Sequence, residues 1–320
     1  MTLDTLAAPA LPPPSTAELG DHVRALREQV GRAFIGQAEV FDQVLLALLA
    51  TGHVLIEGVP GLGKTLLVRA LAASVGCTFG RVQFTPDLMP ADVTGHAIYD
   101  PKTERFQIRR GPVFANLLLA DEINRATPKT QSALLEAMAE GQVTVDGTTH
   151  ALPQPFFVVA TQNPLDLAGT FPLPDSQLDR FMLRLSLDYP DPAAERELLT
   201  GIDRLDLLAI LKPQLDGAAL LALRRQAQAI VASPALLDYL QALLAASRRH
   251  AEIRTGLSPR AGLSLLAVAR AWALLDGRAY VLPEDLQALF VPLAAHRLVA
   301  ARGTGGEALA RQLLAEVAVD

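Results

Sequence analysis

The stretch "HVLIEGVPGLGKTLLVRALAASVG", His53–Gly76, decides the fold of this 320-residue chain. A short apolar run leads into a glycine-rich loop, and a helical pattern of apolar residues follows. The loop, Gly58–Thr65, has the spacing G-x-x-x-x-G-K-[ST]. Its glycines let backbone N–H groups turn inward around phosphate oxygens, and the following helix N-terminus attracts negative charge. We therefore predict a phosphate-binding loop between a strand and a helix, with Lys64 at the β- and γ-phosphates and Thr65 on Mg²⁺.

Further short apolar runs alternate with helical patterns along the chain. They are apolar on both faces, as strands of a parallel sheet are when helices cover both sides. The runs are "RVQFT", "NLLLADE", "FFVVATQNP" and "MLRLSLDYP". This alternation predicts an α/β domain over residues 21–190.

Two segments interrupt the alternation and are predicted as β-hairpins that project from the sheet domain. "HAIYDPKTERFQI" has Asp-Pro-Lys-Thr at its turn. In "QVTVDGTTHAL", Asp146-Gly147 suits a tight turn between antiparallel strands.

The two ends of the chain differ from this domain. Residues 1–20 are rich in Ala and Pro, and three consecutive prolines forbid a helix there, so we predict a disordered leader. Residues 191–216 are predicted as a connector. From 217 to 320 the apolar residues have helical spacing, with Gly277 as a helix end and Pro283 as a helix start. We predict an all-helical domain there.

Composition argues against several classes of protein. A net charge of −6 gives no general attraction to nucleic acid or to an anionic membrane. The most apolar stretch, Val44–Ile56, is too short to span a bilayer, and the N-terminus lacks a basic segment typical of secretory signals. We predict a cytoplasmic protein without membrane insertion. The single cysteine, Cys77, is expected in the core, and the six histidines lie too far apart in sequence to suggest a zinc site.

Polar residues follow two of the predicted strands. Asp121 and Glu122 end "NLLLADE", and Asn163 ends "VVATQN". Ordinary acids at a strand end and an Asn-Pro turn are the alternatives, but the phosphate loop upstream favours a functional interpretation. Asp121 would hold the metal, and Glu122 would orient and polarise an attacking water. Asn163 would position the same water or contact the γ-phosphate.

Five motifs in order resemble the MoxR family of AAA+ ATPases. They are the phosphate loop, "LLLADEINRA", "ATQNP", "LPDSQLDRF" and "GLSPRAGLSLL", and the resemblance runs from about Phe34 to His296. It implies a P-loop AAA+ core with a parallel sheet, two inserted β-hairpins and a C-terminal helical lid, with ATP and Mg²⁺ as ligands.

The resemblance also assigns roles. Asn163 matches the sensor 1 asparagine, and Arg260 matches the sensor 2 arginine, which reaches from the lid to the nucleotide. Ile35, Gly36 and Gln37 match the segment that lines the adenine site. The predicted nucleotide-binding residues are Ile35, Gly36, Gln37, Gly58, Pro60, Gly61, Leu62, Gly63, Lys64, Thr65, Leu66 and Asp121. The predicted catalytic residues are Lys64, Glu122, Asn163, Arg180 and Arg260.

Arg180, in "PLPDSQLDRF", matches the arginine finger that enters the neighbouring subunit's site in AAA+ rings. Such a finger contributes ~10³–10⁵ in rate, far more than the roughly 0–1 kcal/mol of a surface ion pair. Arg125 and Arg184 are alternatives for the role, and Arg125 could instead serve a subunit contact.

The resemblance implies a hexameric ring that uses ATP hydrolysis to mature or activate client proteins, together with a von Willebrand factor A domain partner. Three alternatives stay open. A nucleic-acid motor is disfavoured by the acidic balance, although Lys102, Arg105, Arg109 and Arg110 surround the first hairpin. A non-hydrolysing nucleotide switch would retain the same loop. A metal-chelatase ATPase subunit would share the core motifs.

Overall fold

A computed structural model of the chain describes residues 16–102, 104–164, 169–200, 204–301, 303 and 305–319. The predicted leader lies outside these ranges up to residue 15. Its last five residues belong instead to the first helix, α1, which spans Thr16–Ala33. No proline follows Pro14 before the helix ends, so nothing blocks helical backbone from Thr16 onward. The first helix therefore begins five residues before residue 21, where the sequence predicts the start of the α/β domain.

A parallel sheet of five strands forms the centre of this domain and confirms the predicted α/β fold. The strands are β1 (Val54–Glu57), β2 (Phe79–Gln83), β5 (Leu117–Asp121), β8 (Phe157–Gln162) and β9 (Leu183–Ser186), in the spatial order β2-β5-β8-β1-β9. The central strands β5 and β8 are buried almost throughout, as their apolar sequences predict. Because the strands are parallel, their carboxyl ends meet along one edge.

Both predicted hairpins are present. The first pairs β3 (Gly95–Asp100) with β4 (Arg105–Arg110), and the second pairs β6 (Gln142–Val145) with β7 (Thr148–Ala151). At the second turn, Asp146 and Gly147 have φ values of 48° and 78°. Two successive positive φ values match the tight turn that this dipeptide predicts.

Helices cover both faces of the sheet and build two apolar cores. One core contains Val54 and Ile56 of β1 with α1 and the two helices that follow it in sequence. The other contains Leu55 of β1 and the helix before the second hairpin. These helices are α2 (Ala38–Leu49), α3 (Lys64–Ser74), α4 (Pro90–Thr94), α5 (Pro128–Glu140) and α6 (Asp175–Leu178), and single 3-10 turns lie at Pro112–Phe114 and Ile123–Arg125.

The predicted connector contains two helices, α7 (Pro192–Thr200) and α8 (Arg204–Ile210). The second lies in the stretch for which the sequence predicts only a connector. It packs on α1 and α3, and Leu208 and Leu211 lie against the main core. Burial of these leucines outweighs the weak helical pattern of so short a segment.

The C-terminal domain is helical as predicted. Its helices are α9 (Gly217–Ala229), α10 (Pro234–Arg249), α11 (Pro259–Leu275), α12 (Pro283–Ala294) and α13 (Gly306–Glu316). The expectation of helices alone is corrected by one antiparallel pair, β10 (Ile253–Thr255) with β11 (Val299–Ala300), which is too short for periodicity to reveal.

This helical domain packs against α2 and β9. Arg224 of α9 is buried there, and its Nε and Nη2 donate to the carbonyl of Leu48 at 3.0 and 2.8 Å. The contact fixes α9 to the C-terminal end of α2. The domain therefore lies on the side flank of the sheet rather than over the phosphate loop.

Two further observations concern the predictions from composition. Cys77 is partly buried, and burial raises the pKa of its thiol to about 11. Among the described residues, no helix combines the length and the apolar character that crossing a bilayer requires.

Candidate functional site

A cleft of about 510 Å³ opens at the carboxyl edge of the sheet, between the phosphate loop and the end of β5. It brings together predicted residues that are far apart in sequence. Of the predicted nucleotide-binding and catalytic residues, it is lined by Pro60, Gly61, Gly63, Lys64, Thr65, Leu66, Asp121 and Glu122. The sequence did not identify Arg69, Arg81, Gln83 and Leu208, which also line it.

The phosphate loop has the backbone geometry that its glycines allow. Gly61 and Gly63 have φ values of 88° and 81°, in a region of backbone conformation that is strained for residues with a side chain. Gly58 is close to the strand end of β9, since a Cβ there would lie 2.6 Å from the carbonyl oxygen of Leu187. Gly63 caps α3, so the helix N-terminus faces the cleft. The loop is therefore shaped to bind an anion with backbone N–H groups.

Lys64 begins α3 and is buried in the loop. Its Nζ donates to the carbonyls of Gly58 at 2.6 Å and Val59 at 3.4 Å. Burial lowers the pKa of the ammonium, and the nearby charges of Asp121 and Glu122 oppose that shift. The ammonium is thus held beside the loop by groups that phosphate oxygens can replace.

Asp121 ends β5, and both its carboxylate oxygens have donors. Thr161 of β8 donates its hydroxyl to Oδ1 at 2.7 Å, and Arg81 of β2 donates from Nη2 to Oδ2 at 2.8 Å. The neighbouring parallel strands supply these side chains, because β5 pairs with β2 through Asp121 and with β8 through Ala120, opposite the residue before Thr161. The arrangement fixes the carboxylate at the floor of the cleft.

Glu122 follows with a left-handed backbone, at φ 55°. Its N–H donates to the Thr161 hydroxyl at 2.9 Å, so one threonine orients both acids. Its Oε2 accepts from Gln83 at 2.8 Å and from Arg125 Nη1 at 3.0 Å. Arg125, an alternative finger, therefore pairs within its own chain with the predicted water-activating residue.

Asn163 immediately follows β8 and is buried. β8 lies between β5 and β1, so Asn163 occupies the same sheet edge, between the acidic pair and the phosphate loop. It lies outside the set of residues that line the cleft.

The segment Ile35–Gln37 connects α1 to α2 and contacts the chain beyond β9. Gln37 donates to the carbonyl of Asp188, and a Cβ on Gly36 would lie 2.7 Å from Ala194 of α7. The adjoining Phe34 ring lies 3.5 Å from where a Gly63 Cβ would be. The segment thus borders the phosphate loop without lining the cleft itself.

A second cleft, of about 200 Å³, lies at the opposite edge of the sheet. It includes His53, just before β1, whereas the phosphate loop follows β1. Four strand residues at about 3.3 Å each separate the two edges by roughly 13 Å. The charged residues that line it are Asp179, Arg180, Arg260 and Arg297, so the cleft carries excess positive charge. His53 adds no charge near neutral pH, because burial lowers its pKa to about 4.

Arg260 lies with Arg180 in the second cleft, at the sheet edge opposite the phosphate loop. Because the helical domain packs on the flank of the sheet, the start of α11, which contains Arg260, lies at the edge where the strands begin (the amino edge). Arg180 donates from Nη1 to the carbonyl of Leu135 at 2.8 Å. The third candidate, Arg184, pairs with Glu57 at 2.6 Å.

Comparisons with known proteins agree with this architecture. The profile of the ATPase family associated with various cellular activities (AAA) matches residues 53–183, and that of the AAA lid domain matches residues 245–316. The chain is 41% identical to the protein named Chaperone MoxR1 of Mycobacterium tuberculosis, over 96% of this chain and 84% of that one. It is 34% identical to the protein named MoxR of Paracoccus denitrificans, over 82% and 84% of the two chains.

A crystal structure from Cytophaga hutchinsonii, described as that of a candidate ATPase, superposes with a TM-score of 0.89. The two chains are 36% identical, and the match covers 95% of this chain and 97% of the other. The fold, the phosphate loop with its acidic partners, and these relatives agree, and this chain belongs to the MoxR family of AAA+ ATPases.

Proposed function

We propose that this chain hydrolyses ATP, with Mg²⁺, in the cleft at the carboxyl edge of the sheet. It does so as a subunit of a closed ring of six. The single observation that carries the proposal is the convergence of Lys64, Asp121 and Glu122 on one cleft with a phosphate loop at its wall. A phosphate-binding site without a hydrolytic role would not need Glu122 beside it.

The chain's own residues account for the first part of the reaction. The loop N–H groups and Lys64 bind the β- and γ-phosphates. Glu122 accepts a proton from the attacking water as it adds to the γ-phosphorus, and the β–γ bridging oxygen leaves with ADP. Before the attacking water binds, Gln83 and Arg125 hold the Glu122 carboxylate at the cleft wall.

The cleft also suits Mg²⁺. The hydroxyl of Thr65 and the carboxylate of Asp121 are hard oxygen donors of the kind that Mg²⁺ prefers. Asp121 is pre-oriented for this by Thr161, and Arg81 balances its charge. Bound there, the ion would neutralise charge on the phosphate oxygens.

The remaining part of the site comes from a neighbouring subunit. Arg180 and Arg260 share a cationic cleft at the edge opposite the phosphate loop, which supports a role for both at the nucleotide of the next subunit. A ring in which the amino edge of one subunit meets the carboxyl edge of the next places both guanidiniums near the γ-phosphate. There they stabilise the charge that develops in the transition state. Asn163 positions the attacking water from within the chain.

We infer that the ring uses this cycle to remodel, mature or activate client proteins in the cytoplasm, with a von Willebrand factor A domain partner. The proposal is supported by the relative that is named a chaperone. The exposed hairpins leave surfaces through which the ring can contact another protein.

The first experiment changes Glu122→Gln, which keeps the size of the side chain and one acceptor oxygen but removes the base. We expect unchanged binding of a fluorescent ATP analogue and a fall in kcat of about 10²–10⁴. Turnover that survives the substitution would contradict the role of Glu122.

The second experiment mixes Arg180→Ala subunits with Lys64→Ala subunits, each nearly inactive alone. Mixed rings should recover part of the ATPase activity, since some subunit interfaces (seams) pair an intact phosphate loop with an intact Arg180. Rings that assemble, as measured by light scattering, without any recovery would contradict the action of Arg180 across the seam.

A further inference from the structure

Arg297 joins the helical domain to the segment that carries Arg180. It lies in the turn after α12, and only 4% of its side chain is exposed. A guanidinium has five N–H donors, and all five of Arg297 are used. One of them goes to the carbonyl of Leu293, within α12 itself.

The other four donors all reach residues 179–182, on both sides of Arg180. Nε donates to the carboxylate of Asp179 at 2.7 Å, and one Nη2 bond goes to the Phe181 carbonyl at 2.7 Å. The remaining two acceptors are the carbonyls of Asp179 at 3.2 Å and Met182 at 3.0 Å. The backbone on either side of Arg180 is thus fixed by one side chain of the helical domain.

This fixation matters because a guanidinium acts on transition-state charge only from a narrow range of positions. A misplacement of about 1 Å can lower a rate about 10²-fold. Segment 179–182 connects a single-turn helix, α6, to β9, so regular structure holds it only at its ends. Between those ends Arg297 supplies four hydrogen bonds, while His53 and His296 supply one each.

We propose that Arg297 is a positioning residue for Arg180. It holds segment 179–182 so that Arg180 reaches the cleft of the neighbouring subunit, and it makes that position depend on where the helical domain lies. The inference rests on the proposed function, since it requires Arg180 to act across the seam. A movement of the helical domain in one subunit is thereby passed to the active site of the next.

The test compares Arg297→Met with Arg224→Met. Both substitutions remove a buried arginine that joins the helical domain to the sheet domain, but Arg224 contacts Leu48 and not segment 179–182. Both should lower the unfolding temperature. Only Arg297→Met should lower kcat, by about tenfold or more. KM and the Kd of a fluorescent ATP analogue should change by less than about twofold, because the cleft of the same chain is intact.

A double substitution separates positioning from general damage. In an Arg180→Ala background, Arg297→Met should cause no further loss of kcat, since it acts only through Arg180. Mixed with Lys64→Ala subunits, Arg297→Met subunits should recover activity, because they keep an intact phosphate loop. Arg297→Lys retains the charge with three donors. It should give an intermediate kcat, and it carries the test if the methionine variant does not fold.

The outcomes distinguish the role of Arg297 from the proposed function on which it rests. Equal kcat values for Arg297→Met and Arg224→Met, or an additive loss in the double variant, would overturn the role of Arg297. An Arg180→Ala variant with undiminished kcat would instead overturn the proposed function.

Discussion

Thr161→Val is the sharpest test of how the acidic pair is built. The substitution keeps the shape of the side chain and removes one hydroxyl, which is fully buried. That hydroxyl donates to Asp121 and accepts from the Glu122 N–H. Valine can do neither, so two groups in the cleft floor lose a partner at once.

The expected cost follows from these two bonds. A hydrogen bond to a charged group contributes about 1.5–3 kcal/mol, and an unsatisfied buried N–H costs about 1–3 kcal/mol. Arg81 still pairs with Asp121, and solvent reaches part of the cleft, so we expect about 3 kcal/mol in the free energy of unfolding. Glu122 also loses the bond that holds its strained backbone at φ 55°. We therefore expect kcat to fall by about tenfold or more.

Urea unfolding and steady-state ATP hydrolysis measure the two effects. At a slope of about 3 kcal/mol per M, the midpoint should fall by about 1 M. Thr144→Val is the matched control, because that hydroxyl bonds only to Thr149 on an exposed hairpin. It should change stability by less than about 0.5 kcal/mol. If Thr161→Val behaves like this control in both assays, the threonine does not organise the acidic pair.

Two further predictions concern pH and the phosphate loop. Burial lowers the pKa of His53 from 6.5 to about 4, so below pH 6.5 the unfolded chain binds a proton that the folded chain does not. The free energy of unfolding should fall by about 3 kcal/mol between pH 6.5 and 4, at 1.36 kcal/mol per pKa unit. Urea titrations should show a shallower pH dependence in His53→Gln. Gly63→Ala places a side chain at φ 81° and should weaken binding of a fluorescent ATP analogue about tenfold. Gly277→Ala, at φ 71° in the helical domain, should leave that affinity unchanged.

The sequence predicts what short-range patterns determine. The phosphate loop needs glycines at fixed spacing, and the central strands need continuous apolar runs. Both can therefore be recognised in the sequence. The meeting of Lys64 with Asp121 also followed, because parallel strands bring their carboxyl ends to one edge. The turn at Asp146-Gly147 was predicted from two residues alone.

What the sequence could not predict depends on contacts between distant segments. The placement of Arg260 depends on how the helical domain packs, and buried arginines far away in sequence help to set that packing. The roles of Arg81 and Gln83 depend on the register of β2 beside β5. A polar pair in "RVQFT" does not stand out in the sequence. Helix α8 forms because its leucines find a surface on α1 and α3, and no local pattern shows that surface.

The raised pKa of Cys77 has a practical consequence. At about 11, it leaves only about one thiol in 10⁴ as thiolate at pH 7, and the thiolate is the reacting form. Cys77 in the native protein should therefore react very slowly with maleimide dyes. Reporter cysteines that replace Phe106 and Leu263, which are 74% and 70% exposed, can then be labelled without replacing Cys77. Energy transfer between such dyes would report any change in the distance between the first hairpin and the helical domain as ATP is added.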